Sequence, residues 1–283
     1  MDKNFITPVE KRGEYWFKRE DLYVPYDFSP VNGSKLRQCQ LLVEKNIEKT
    51  TRGIITGTSV ISPQSAIVAS VAKEHGVPCY IYYGGTTEEL LKTKKYPSLA
   101  ARLGANVSIV SKMAFTSVLA ARANEFAKAN NLFHVRYGFD LRANLDAFVE
   151  SIANQVQNVP KEVKSVAITV GSSITLVGVL YGMAMFDNNI EEIYAVGCAP
   201  NRISRIQEYA DMIYFESGIS LPFHKIKYID AFNTIKGYKY ESVMEEEYMG
   251  ITFHPRYEAK TFRWLKNQNV KDCLLWVTGA DFG

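Results

Sequence analysis

The sequence predicts an α/β protein built on mostly parallel sheets with helices on both faces. Three observations predict it. Strand-like and helix-like segments alternate over residues 53–197, the pattern of a parallel sheet covered on two faces. Several strands end in small-residue turns, at Gly57-Thr58-Ser59, Gly84-Gly85, Gly171-Ser172-Ser173 and Thr278-Gly279, where open α/β sheets place ligands. Length and composition agree: 283 residues with 47% hydrophobic and 22% charged side chains bury a large core in one or two domains.

Each element follows from local pattern. Residues 14–18 put aromatic beside polar side chains and predict a strand. The charge cluster Lys18-Arg19-Glu20-Asp21 follows, and Pro25 and Pro30 mark irregular backbone. Ser34 is placed to cap a helix that runs to Glu48 with Leu36, Cys39, Leu42 and Val43 on one face. Strands are then expected at 53–58, 78–83, 107–110, 166–170 and 193–197. Helices are expected at 64–74, within 93–104, and at 115–130, 148–157 and 176–186. After Pro200 the rhythm loosens. The pattern predicts a helix at 203–216, loop with short strands over 218–240, and a helix with a solvated acidic face at 241–249. A helix at 258–267 and a last strand at 273–277 complete the chain. Residues 165–186 carry no charge, but the Gly-Ser-Ser turn divides them into strand and helix rather than a membrane span.

Composition excludes several function classes. A net charge of +3 is too small to argue for nucleic acid. The four cysteines and four histidines are scattered, with no C-x-x-C pair. This spacing gives neither a disulfide framework nor a metal site and suits a reducing, cytoplasmic compartment. Met1-Asp2-Lys3-Asn4 lacks the basic-then-apolar run of a signal peptide.

Five stretches can carry chemistry. Lys35, in Asn32-Gly33-Ser34-Lys35, is a lysine at a helix start, where the dipole disfavours its charge. It reads either as a solvated surface lysine or as a desolvated, nucleophilic amine. Gly171-Ser172-Ser173-Ile174-Thr175 lies between a buried strand and a helix. It reads as a capped turn or as a phosphate cradle of free N–H groups at a positive helix end. Ser62-Pro63-Gln64 reads as an ordinary helix start with Pro at its first position, or as an anion loop. Tyr257-Glu258 stand together at a turn into a helix, as a surface cap or as an acid/base pair. Thr278 ends the last strand.

In this order and spacing the stretches resemble the fold-type II pyridoxal-phosphate enzymes. The nearest branch is that of 1-aminocyclopropane-1-carboxylate deaminase and D-cysteine desulfhydrase. Lys18-Arg19-Glu20-Asp21 is similar to the family's K-R-E-D, and Asn32-Gly33-Ser34-Lys35 with Arg37 to its N-G-[GN]-K-x-R. Ser62 and Gln64 match its S-N-Q loop, and residues 171–175 with Gly178 its G-S-G-G-T-x-x-G phosphate loop. Gly237-Tyr238, Gly250-Ile251, Pro255, Tyr257, Glu258, Lys260 and Thr278-Gly279 resemble its C-terminal motifs.

The resemblance implies two three-layer αβα domains, the smaller inserted in the larger, with pyridoxal 5′-phosphate in the cleft between them. Residues 1–45 and 146–283 would form the larger domain and 46–145 the smaller. Lys35 would hold the cofactor as a Schiff base, residues 171–175 its phosphate, and Glu258 and Thr278 its ring nitrogen. Ser62, Gln64, Tyr238 and Tyr257 would meet the substrate, with Lys35, Ser62, Tyr238 and Tyr257 as catalytic groups. A homodimer is implied.

Departures from the family pattern keep the reaction open. Pro63 stands in place of Asn, Ser173-Ile174 in place of two glycines whose geometry Ile174 would have to tolerate, His254 in place of Asp, and Arg256 in place of an apolar residue. The first reading is a lyase or deaminase acting at Cα of a small amino acid. The alternatives are a decarboxylase acting on an amino-acid-modified nucleotide or DNA base, which Pro63, Arg256 and the Lys/Tyr-rich 224–240 segment suggest, and a non-catalytic relative, against which Lys35 speaks.

Overall fold

The structure, a computed structural model, describes residues 5–139 and 150–279. A six-stranded sheet runs in the order β1-β2-β12-β7-β8-β9: β1 (Val9–Arg12), β2 (Tyr15–Arg19), β12 (Cys273–Val277), β7 (Ser165–Val170), β8 (Glu192–Gly197) and β9 (Ile226–Ile229). β1 and β2 are antiparallel, and every other neighbouring pair is parallel. A second, four-stranded parallel sheet has the order β5-β4-β3-β6: β5 (Asn106–Ser111), β4 (Cys79–Gly84), β3 (Ile54–Gly57) and β6 (Phe133–His134). The chain thus leaves the first sheet after β2, builds the second, and returns at β7. The ribbon β10 (Glu247–Tyr248) and β11 (Ile251–Thr252) stands apart.

The helices are α1 (Ser34–Lys45), α2 (Ile47–Thr50), α3 (Gln64–Glu74), α4 (Glu88–Thr93), α5 (Lys95–Arg102), α6 (Thr116–Asn130), α7 (Ile174–Met185), α8 (Ile203–Ser217), α9 (Ala231–Thr234) and α10 (Glu258–Asn267). α1 packs on α3. Leu36, Cys39, Leu42 and Val43 of α1 join Ala66, Ile67 and Val71 of α3 in one core with Ile81 of the second sheet and Trp276 of the first. Each such aliphatic side chain contributes about 1.5–3 kcal/mol, so this shared core ties the two sheets together.

The uncharged run at 165–186 has a structural cause. β7 is central in its sheet, and five of its six residues are buried. α7 is covered as well: a Cβ on Gly178 would come within 2.5 Å of Ile152 Cβ, and one on Gly182 within 2.5 Å of the Ala153 carbonyl. Gly178 therefore serves helix packing. Among the described residues no helix is long and apolar enough to cross a membrane.

The expected strands and most helices occur within a residue or two of their predicted ends. The helix expected at 148–157 begins outside the described residues; 150–153 are helical and Asn154–Val156 form a 3₁₀ turn. The helix expected at 241–249 is absent: the segment is extended and ends in β10. Its acidic residues are spent between elements rather than along one. Glu246 pairs with Arg263 and Lys266 of α10 at 2.5 Å, and Met244 N–H donates to the Pro255 carbonyl. β1, α4 and α9 carry too little periodicity to have been predicted.

Candidate active site

The loop before α1 is built so that Lys35 meets the end of β12. Gly33 takes φ +93°, a left-handed value that only glycine adopts freely, and is itself the N-cap. The expected cap Ser34 is instead the first helical residue and makes no side-chain cap. Its N–H donates to the Thr278 carbonyl at 2.9 Å. Gly279, at φ +78°, lets the strand end come this close, since a Cβ there would lie 2.9 Å from Gly33 Cα. Behind the loop, Lys18 donates to the Thr7 carbonyl (2.7 Å) and Asn158 Oδ1 (2.8 Å). Glu20 accepts from Thr7 Oγ1 (2.6 Å) and faces Arg37 Nε at 3.7 Å. Glu20 is thus the member of the K-R-E-D cluster that faces α1, while Arg19 pairs with Glu10 and Asp21.

Lys35, Tyr257 and Thr278 line one cavity together with Gly171, Ser172, Ser173 and Thr175. Burial holds the Lys35 amine below its ordinary pKa, opposed by the nearby Cys198 and Glu258. That favours the neutral amine, the form that attacks a carbonyl. Cys198 is buried too, and burial pushes its thiol up to about 11, so it stands neutral near the lysine.

Residues 171–175 form the turn from β7 into α7. Ser173 takes φ +77° and is the N-cap. The strain expected of Ile174 therefore falls on Ser173; Ile174 starts the helix and is buried in the core. Ser173 Oγ is buried with no partner. It and the N–H groups at the positive end of a 12-residue helix face the same need for an anion.

Glu258 is fully buried at the start of α10. Its Oε1 accepts from Thr278 N–H at 2.8 Å and from the Thr278 hydroxyl, whereas Oε2 has no partner. Burial raises this carboxyl to about 7, with the Thr278 hydrogen bonds opposing.

The tyrosines rearrange one expectation. Tyr238 packs into the apolar core beside Ala231, Met244 and Phe253, 2% exposed, and is not at the cavity. Tyr240 instead reaches the cavity residue Tyr257, accepting a 3.0 Å hydrogen bond from its hydroxyl. Two residues apart on a tight turn, the two side chains diverge, and nothing in the local pattern distinguishes them. Arg256 donates to the Tyr240 and Glu241 carbonyls and Lys260 to the Lys239 carbonyl at 2.6 Å, fixing that turn. His254 Nδ1 accepts from Arg256 N–H at 3.1 Å, its Nε2 meets the Tyr96 hydroxyl of α5 at 3.2 Å, and its ring lies 4.5 Å from that of Tyr257.

The 62–64 loop is also committed internally. Pro63 is the N-cap of α3 and has no N–H. Gln64 N–H donates to Ser62 Oγ at 3.3 Å. Gln64 Nε2 donates to Thr56 Oγ1 (2.7 Å) and the Arg136 carbonyl (3.1 Å), and its Oε1 accepts from Gly138 N–H (2.7 Å). Gln64, expected at the substrate, is a strut between β3 and residues 136–138. The basic 224–240 segment is partly spent as well: Lys225 donates to the Ile190 carbonyl and Lys227 pairs with Glu192.

These residues fit pyridoxal phosphate. Of the buried atoms without a partner among the described residues, Ser173 Oγ and Glu258 Oε2 answer to a phosphate and to a protonated ring nitrogen, and Lys35 lines the same cavity as the phosphate turn.

Known proteins agree. The family model described as "Pyridoxal-phosphate dependent enzyme" matches residues 6–249. The O-seryl-dTMP PLP-dependent decarboxylase of Salmonella phage ViI is 25% identical over 342 residues, covering 97% of this chain and 80% of that protein. An ACC deaminase homologue shares the fold at TM-score 0.74 and 18% identity, over 95% of this chain and 85% of that one. Threonine deaminase isoform 2 from Solanum lycopersicum does so at 0.63 and 16%, over 94% and 79%. With a family model covering most of its length and a site that fits the cofactor, the chain belongs to the pyridoxal-phosphate dependent enzymes and works with pyridoxal 5′-phosphate.

Proposed function

We propose that this enzyme is a decarboxylase acting on an amino acid borne on a nucleotide. One observation carries the reading: at the loop that would seat a substrate carboxylate, Pro63 and Gln64 hold no free donor. Pro63 offers no N–H, Gln64 N–H goes to Ser62, and the Gln64 amide is fully hydrogen-bonded within the protein. An amino-acid deaminase or racemase keeps the carboxylate and gains from binding it tightly. A decarboxylase must lose it, and a carboxylate with few donors is closer in energy to leaving as CO₂. The similarity to a decarboxylase of O-seryl-dTMP over 97% of the chain supports the same reading.

When bound, the cofactor withdraws electrons from the substrate's α-carbon. Lys35 would hold it, the 171–175 turn its phosphate, and Glu258 its ring nitrogen. Tyr257, whose phenol burial keeps neutral and protonated, is one proton donor at hand, and the ammonium form of Lys35, reached when the freed amine takes up a proton, is the other. As the bond from Cα to the carboxylate breaks and CO₂ departs, one of them supplies the proton that replaces it.

The test is product analysis. The cofactor-loaded protein is incubated with O-seryl-dTMP and, separately, with free small amino acids. Release of CO₂ from the nucleotide-borne serine is expected. Ammonia and keto acid from a free amino acid, with no CO₂ from the nucleotide, would instead establish the deaminase reading.

A further inference from the structure

Arg202 and Arg205 stand three residues apart at the start of α8, a spacing that places them on neighbouring positions of one helix face, with Arg202 beside the phosphate turn, and the roles above leave both unused. Arg202 lies just before α8, and its Nε donates to the Gly171 carbonyl at 3.2 Å. Its own N–H donates to the Tyr228 hydroxyl at 3.2 Å. These bonds anchor the stem of the side chain, while its two Nη groups have no partner among the described residues. Arg205 makes no hydrogen bond or ion pair among them. Both are half-buried. Burial disfavours the charge of Arg202, and the neighbouring charge of Arg205 disfavours it further. Two partly desolvated guanidiniums held together without an acid are costly, and an anion with several acceptor oxygens relieves that cost.

The anion is not the one in the cradle. Neither arginine lines the cavity of Lys35, and Arg202 holds the carbonyl side of Gly171, whereas a phosphate in the cradle takes N–H groups. We propose that Arg202 and Arg205 seat the phosphate of the substrate's nucleotide. The proposal rests on the nucleotide-borne reading above and adds where the nucleotide is recognised. Tyr228, whose hydroxyl accepts from Arg202 N–H, gives this rim an aromatic ring beside the cations, as a pyrimidine nucleotide requires.

The test uses dTMP and thymidine as probes, in equilibrium binding to the cofactor-loaded protein. The wild type is expected to bind dTMP at least roughly tenfold tighter than thymidine, the size of one charge-assisted phosphate contact, and to lose that margin as salt is raised. Arg205→Gln should shrink the margin while leaving the absorption of the bound cofactor unchanged, and Arg202→Gln, which also removes the bond to Gly171, should shrink it as well. Arg205→Gln keeps the test sound if Arg202→Gln misfolds, because Arg205 holds no part of the fold. A margin that survives both substitutions, or a cofactor band lost along with it in Arg205→Gln, overturns the proposal. The two readings separate cleanly. Binding of dTMP without CO₂ release from O-seryl-dTMP removes the decarboxylase and leaves the phosphate seat. CO₂ release with equal binding of dTMP and thymidine does the reverse.

Discussion

The Nζ of Lys35 lies 5.4 Å from the centre of the Tyr257 ring, and the hydroxyl of that ring donates to Tyr240. The ring face favours a charged amine, while burial favours a neutral one and dominates. Ring and hydroxyl can be separated. Tyr257→Phe keeps the ring, so the absorption band of lysine-linked cofactor should remain, whereas Lys35→Ala should abolish it. Turnover of Tyr257→Phe should fall by roughly 10²-fold or more if the hydroxyl moves a proton. An unchanged turnover would assign that proton to Lys35 alone.

Glu258 makes the cofactor-free protein sensitive to pH in a defined direction. Its folded pKa, about 7, lies above the ordinary glutamate value of 4.5. The folded state therefore binds the extra proton, and the stability from this group is full below pH 4.5 and lost as pH rises through 7. Glu258→Gln removes that dependence. Below pH 4 variant and wild type should melt together. At pH 8 the variant should be more stable by roughly 2–4 kcal/mol, read from urea midpoints of the apoprotein. A gap that is constant with pH would contradict the assignment.

Ser173 is strained and holds an unpartnered hydroxyl. Strain of this kind is kept where function needs it. Ser173→Gly should raise the stability of the apoprotein by about 0.5–1 kcal/mol, because glycine takes φ +77° without cost. The same change should weaken pyridoxal phosphate several-fold, since a phosphate ligand is lost. Chemical denaturation and cofactor titration measure the two effects, and a change of both in one direction would deny the phosphate role.

Most of the fold was legible in the sequence because its strands are short, buried apolar runs set off by glycine turns, and α3 and α10 announce themselves by composition. Lys35, the 171–175 turn and Thr278, which the structure brings to one cavity, could be singled out because each occupies a strand end or helix start, a position that sequence pattern locates. What could not be read depends on long-range contact. The acidic 241–249 run looks helical until Arg263 and Lys266 claim Glu246. Tyr238 and Tyr240 are alike in sequence, and only the turn held by Arg256 sends one to the core and the other to Tyr257. Gln64 looked like a substrate ligand because its partners, Arg136 and Gly138, are more than 70 positions away.

Pro63 offers the most direct probe of reaction type. It starts α3 with no N–H, directly after Ser62. Pro63→Asn returns a backbone donor and an amide to the loop without touching Lys35, the phosphate turn or Glu258. Its φ of −67° is ordinary for Asn, so the fold should tolerate it. If the missing donors favour loss of CO₂, restoring them should bind the substrate carboxylate better in the ground state and less well as it departs. KM should fall and kcat should fall with it, by roughly tenfold for one hydrogen bond to a charged group. Part of the lost flux should reappear as exchange of the α-hydrogen with solvent deuterium, since a retained carboxylate leaves the Cα–H bond as the one to break. Improvement in kcat with unchanged KM would mean that the proline limits the loop for some other reason, and the decarboxylase reading would lose its structural support.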